Sequence, residues 1–194
     1  MNEKNASSGP SEKDKREYFE EHFLYEVRMF IYSFEQLAMC PNIVKEINQT
    51  STQVSTPWVS QFGSQFRDGN SRNMALETFL LHARNLREFF YSDRKRDDDA
   101  RAFHFFPDKN SWEKLRPKET DSIRDIKNRA NKEIAHLTYK RISGTPPDKN
   151  WDCGKILTDL LAVTKFFLDK LPKEYIGENP AKIRSEIEQL FTRI

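Results

Sequence analysis

"RNMALETFLLHARNLREFFYSD", residues 72 to 93, is the stretch on which the fold turns. Its apolar side chains, from Met74 through Phe79, Leu80, Leu81 and Leu86 to Tyr91, do not keep to one stripe. They run around most of the circumference of a helix, and such a helix sits at the centre of a bundle, covered on several sides. "DGNS", Asp68 to Ser71, stands just before it and combines turn and capping residues.

Working outward, the flanking segments carry the helices that would cover it. Upstream, Phe19, Phe23, Val27, Phe30, Phe34 and Leu37 recur at spacings of three and four, which predicts a helix from near Ser11 to about Met39, with Pro41 beyond its end. Downstream, the acidic triplet Asp97 to Asp99 reads as the cap of a short helix carrying Phe103, Phe105 and Phe106. Pro117 followed by Thr120, Asp121 and Ser122 announces a helix running to about Ile142. Ser122 and Asp125 stand at capping-box spacing, and "SGTPPDKN" (143–150) stops the helix. "WDCGKILTDLLAVTKFFLDKL" (151–171) supplies another, with Ile156, Leu160, Val163 and Phe167 as its core face, and Asn179-Pro180 opens a last one toward the C-terminus. Residues 42–69, rich in Ser, Thr and Gln, predict a long loop with at most one short helix near Trp58 to Phe66. The expected fold is all-α, a bundle of four to five main helices over residues 12–194 as a single domain, with residues 1–11 a disordered polar tail.

Composition excludes several classes of function. The 32 Lys and Arg against 30 Asp and Glu leave a net charge of +2, too even for a broad duplex-binding surface, so any nucleic-acid contact is local or made by a dimer's combined groove. Cys40 and Cys153 form neither a zinc signature nor a disulfide framework. No GxGxxG or GxxxxGK[ST] motif announces a nucleotide cofactor, and no cofactor or metal is expected. The N-terminus has no apolar h-region and no run approaches 18 apolar residues, so the reading is a cytoplasmic protein with no membrane partner.

The chemistry-bearing residues concentrate in "NRANKEIAHLTYKR", Asn128 to Arg141. Arg129 and His136, seven residues apart, project within about 20° of each other on a helix. With Ile123, Ile126, Ala130, Ile134 and Leu137 facing the core, Asp125, Arg129, Lys132 and His136 fall roughly 100–180° from the centre of that stripe. One reading is a solvated helix face with an Asp125–Arg129 pair at i,i+4. The other is a cationic site. A histidine titrates near neutrality and can move protons at a ribose 2′-hydroxyl or a leaving 5′-oxygen. An arginine stays charged and presents a planar fork to phosphate oxygens. Lys132 and Lys140, a turn either side of His136, would add positive potential and depress its proton affinity. Tyr139 at i+3 would position it or stack on a base.

"RANKEIAH", with six residues between Arg129 and His136, resembles the Arg-x(4–6)-His signature of the HEPN superfamily, and the order of helices around it agrees. The chain also resembles a group of bacterial proteins sharing "LLHARNLREFFY" and "NKEIAHLTYKR". The resemblance implies a compact helical bundle that dimerises and cleaves RNA without a metal. Arg129 and His136 would be catalytic, Lys132, Tyr139, Lys140 and Asn131 would bind, and two copies of the chain would surround one phosphate. It also implies a toxin–antitoxin or anti-phage defence setting, with an antitoxin or another protein as partner. The chain departs from the pattern at Ala130, where active members carry a polar residue; Asn131 or Asn128 is the nearest substitute. Members without catalysis serve as dimerisation or partner-binding modules, which is the alternative expectation.

The other histidines are read more plainly. His82, with Phe79, Leu86 and Phe89 beside it on a largely buried helix, is expected to be structural, with Arg84 or Arg87 as company if it joins the site. His22 is expected to be structural or exposed, and His104 to sit among core-plugging aromatics. "RKRDDDAR" (94–101) is a solvated connection, and its adjacent aspartates point in different directions, which disfavours Mg²⁺ ligation.

Overall fold

The computed structural model describes residues 10–39, 69–92, 99–130 and 151–175, together with Ser185, Glu188, Gln189 and Thr192. All secondary structure among these residues is helical, as the periodicity predicts. Residues 1–9 of the expected tail, residues 40–68 with nearly all of the expected loop, and the first five residues of "RKRDDDAR" (94–98) lie outside them, as do most of the last helix and everything from Asn131 to Asn150.

α1 (Glu12–Glu17) is opened by Ser11, whose side chain accepts the Asp14 N–H while the Asp14 carboxylate accepts the Ser11 N–H, a reciprocal capping box. It runs through a π-helical segment, Tyr18–Phe23, into α2 (Leu24–Ala38), with right-handed helical dihedrals at both joints. The three form one rod over the expected range. The π turn was not foreseen, and it has a geometric use. An apolar residue every fourth position drifts about 40° per repeat on an α-helix, and the wider i→i+5 turn rotates less per residue. Phe19 and Phe23 therefore both stay buried, stacked at 5.5 Å, in line with Val27, Phe30 and Leu37.

α3 (Gly69–Tyr91) lies antiparallel to α2: Phe23 meets Phe89 at 4.9 Å, and Phe30 stacks on Phe79 at 4.8 Å. Gly69, Asn70 and Ser71 are already helical, so the turn expected over "DGNS" is shorter than its composition suggests.

After α3 come a 3₁₀ turn, Ala102–Phe105, and α4 (Lys109–Leu115). No acid caps the 3₁₀ turn. Arg101 occupies the N-cap position in an extended conformation, and Asp99 bonds its guanidinium at 3.4 Å instead. α4 was not expected, although Asp108 signals it by accepting the Ser111 N–H at 2.9 Å. Its Trp112 is buried and donates to the Phe90 carbonyl at 3.1 Å.

α5 (Asp121–Ala130) is capped by Thr120 rather than Ser122. Thr120 Oγ1 accepts the Ile123 N–H at 3.4 Å, and its carbonyl accepts the Arg124 N–H at 3.0 Å. The Ser122 hydroxyl is engaged elsewhere, donating to Asp159 of α6 (Cys153–Lys170). Asp152 caps α6 by accepting the Lys155 N–H at 2.9 Å, and Ile156, Leu160, Val163 and Phe167 are all buried, as expected. Ser185, Glu188, Gln189 and Thr192 of the expected last helix are helical.

The buried residues form one core whose hub is Phe167. Its ring lies 5.2 Å from Phe23, 5.3 Å from Phe89, 5.6 Å from Trp112 and 5.8 Å from Phe105. The first rod, α3, the 3₁₀ turn and α4 thus all pack on one side chain of α6. Most of these contacts are edge-on, the arrangement the ring quadrupoles favour. Truncating the hub removes contacts from four elements at once. Phe167→Ala should lower the unfolding free energy by about 3–5 kcal/mol, read as the shift of a urea transition.

Candidate functional site

The amphipathicity of α5 places its one described candidate residue. Ile123, Ile126 and Ala130 are buried, Asp125 and Asn128 are exposed, and Arg129 is half-buried between the two sets. That is where a residue about 100° from the centre of the apolar stripe belongs. The guanidinium carbon of Arg129 lies 4.0 Å from the ring centroid of Trp151, just before α6. At this separation the ring quadrupole attracts the cation, and stacking engages the flat face of a guanidinium rather than its in-plane N–H donors.

Cys153 shows what else is nearby. Burial pushes its thiol up to about 12, and Asp152 adds to the rise, while the charges of Arg72 and Arg129 pull the other way. The thiol therefore stays protonated at neutral pH and is no nucleophile. The charges of two arginines, one from the start of α3 and one from the end of α5, thus reach the N-terminal end of α6, and Arg129 also lies on the Trp151 indole. Arg72 and Trp151 were not singled out from the sequence. Neither shares a helix with Arg129, and only the packing of α3 and α6 against α5 brings them to it. His136, Lys132, Tyr139, Lys140 and Asn131 lie outside the described residues.

The remaining candidates are accounted for individually. His82 is buried, and its Nδ1 sits 2.7 Å from Glu26 Oε2, so it ties α3 to α2 as a structural histidine. Arg87 is also buried and held by Glu119 at 2.7 Å, which fastens α3 to the start of α5 and keeps Arg87 from joining Arg129. Arg84 lines a separate cleft. His22 is exposed, with its ring 5.6 Å from Tyr18. His104 packs edge-on to Phe103 at 4.4 Å, and burial, helped by the charges of Arg101 and Lys15, holds its pKa below the usual 6.5. Among the described residues no cluster of three or more His, Cys, Asp or Glu is arranged to hold a metal ion, and no helix is long and apolar enough to cross a membrane.

Comparison with family models, curated proteins and solved structures returns no match.

Two measurements check this geometry. In a double-mutant cycle of Arg129→Met and Trp151→Leu, the coupling in unfolding free energy should be about 0.5–1 kcal/mol; a value near zero would mean the stacked pair does not persist in solution. For His104, the unfolded chain takes up a proton near pH 6.5 that the folded chain resists. Stability should therefore fall as pH drops below that value and be insensitive to this group above it. His104→Gln should flatten that part of a pH series of urea titrations.

Proposed function

We propose that the protein is a HEPN-like, metal-independent ribonuclease acting as a homodimer, with Arg129 and His136 as its catalytic pair. The observation that carries this reading is the placement of Arg129. It stands off the apolar stripe of α5, half-buried on the Trp151 ring, with the charge of Arg72 close to the same corner. An arginine fixed by stacking has lost side-chain freedom before a substrate arrives, so less entropy is lost when it meets a phosphate. On the α-helical spacing of "RANKEIAH", His136 follows on the same face.

In this mechanism the histidine moves the proton at the 2′-hydroxyl or the 5′-oxygen, and the arginine stabilises the charge that builds on the phosphate. Lys132 and Lys140 add positive potential, while Tyr139 and Asn131 contact the substrate. Two copies of the chain double the pair around one phosphate. The resemblance supports a toxin–antitoxin or anti-phage defence setting, with an antitoxin or other protein as partner.

One observation favours a second reading, a catalytically inactive dimerisation or partner-binding module. Tyr25 and Tyr32 on α2, and Met74 and Leu81 on α3, are each spaced by seven residues and are 50–69% exposed. Two adjacent helices therefore carry apolar side chains on solvent-facing positions.

RNA cleavage by the purified protein in EDTA, beside His136→Ala and Arg129→Ala variants of native circular dichroism and unchanged oligomeric mass, decides between them. The nuclease reading expects each substitution to lower the rate by about 10²–10⁴. Unchanged cleavage in both variants would rule out this pair, and an inactive parent protein would favour the module.

A further inference from the structure

On α3, away from the cationic corner, a cleft of about 460 Å³ opens between the first rod, α3 and the segment Asp99 to Arg101. That volume suits a small organic ligand. None of its lining residues belongs to α5 or α6. Its lining combines the apolar side chains of Phe23, Leu86 and Phe89 with polar ones that include Tyr18, Asn85 and Arg84. Tyr18 and Phe23 are the two ends of the π-helical segment. Such wide turns recur at functional sites because they redirect side chains that an α-helix would place elsewhere.

The charges of the cleft decide what it would take. Glu26 already accepts from Asn85 at 3.1 Å and lies 2.7 Å from His82. Glu88 is paired with Arg87 at 3.3 Å and Lys127 at 3.4 Å. Asp99 is paired with Arg101 at 3.4 Å. Each carboxylate therefore has a partner. Arg84 is different: it is half-buried, and among the described residues it has neither an ion-pair nor a hydrogen-bond partner. The Tyr18 hydroxyl likewise has no hydrogen-bond partner among them. Burial, with the Glu26 charge, raises its pKa to about 12, so it stays a neutral donor. An arginine on an ordinary solvated face extends into water; this one borders a partly apolar cleft that Tyr18, a second donor, lines from the first rod.

We propose that this cleft binds a small organic monocarboxylate, its carboxylate on Arg84 and the Tyr18 hydroxyl and its apolar body on Phe23, Leu86 and Phe89. A planar guanidinium matches a carboxylate's two oxygens. Arg84 is the one lining cation without a partner among the described residues, and a single negative charge matches it. A dianion such as a phosphate monoester would meet Glu26, Glu88 and Asp99 across the same space, where like charges repel in a medium of reduced dielectric. The site is thus distinct in both place and chemistry from the phosphate-binding role proposed for Arg129.

The test is a titration of the ¹⁵N-labelled full chain with benzoate, phenylacetate and naphthalene-2-acetate, beside the uncharged naphthalene-2-acetamide and 2-naphthyl phosphate. The expected result is saturable movement of the Arg84, Asn85 and Ala100 amide signals. Naphthalene-2-acetate should bind about tenfold or more tightly than its amide, and lose about as much in Arg84→Gln, as befits a charged hydrogen bond. Should Arg84→Gln lose its native spectrum, Arg84→Lys, which keeps the charge but not the fork, should also weaken the acid relative to the amide. The proposal is overturned if none of the three acids moves these signals, if amide and acid bind alike, if the folded variant binds the acid unchanged, or if the naphthyl phosphate binds more tightly.

Discussion

The fold depends on the burial of one aromatic side chain. Phe167 points from α6 into rings contributed by the first rod, α3, the 3₁₀ turn and α4. A core built of flat rings meeting edge to face fixes the mutual orientation of the elements that carry them, because each ring pair is favourable only over a narrow range of angles. The π turn in the first rod belongs to the same constraint: it keeps Phe19 and Phe23 in one line, and Phe23 is one of the rings that Phe167 meets. The short segment after Asp99, which has little regular structure, is held because Phe105 is buried and Phe106 stacks on Trp112 at 5.1 Å.

Around that core, polar ties set the position of α5 and hence of Arg129. Arg87 and Glu88 of α3 reach Glu119 and Lys127, and the Tyr91 hydroxyl donates to the Pro117 carbonyl at 3.0 Å. On the other side, the Asp159 carboxylate of α6 accepts from Thr120, Ser122 and Lys155. Burial works against the ionised form of Asp159, but these hydrogen bonds outweigh it and hold its pKa below the usual carboxylate range. The start of α5 is therefore clamped from α3 and α6 together, and its far end delivers Arg129 onto the Trp151 ring.

α3 links the cationic corner and the cleft. Its first turn brings Arg72 toward the corner where Arg129 lies, and Arg84, a little over three turns later at 3.6 residues per turn, borders the cleft. The same helix also carries two buried basic residues tied to neighbouring elements, His82 by a hydrogen bond with Glu26 and Arg87 by an ion pair with Glu119. Three of its basic side chains therefore lie in different surroundings, and each acts according to what is packed against it. Arg87 ties elements together, Arg72 adds charge at the corner, and Arg84 faces a space that nothing among the described residues fills.

Periodicity and punctuation alone determined that this chain is all-helical and, among the described residues, where its long helices run and which faces they bury. Those are local properties: the i, i+3, i+4 recurrence of Phe, Leu and Val fixes a helix's inner face regardless of what covers it. The half-buried position of Arg129 was legible for the same reason, as an angle on a wheel. Tertiary structure decided the rest. Asp159, 37 residues beyond Ser122 in sequence, accepts from both the Thr120 and the Ser122 hydroxyls and so ties the start of α5 to α6. The π turn keeps Phe19 and Phe23 in line to meet rings of other elements, Phe105, Phe89 and Phe167. Arg72 and Trp151 come near Arg129 only through packing, and Arg87 is taken up by Glu119 of another segment while Arg84 borders the cleft. A side chain's partners come from other elements, and the spacing of residues along one helix carries no information about which element will lie beside it.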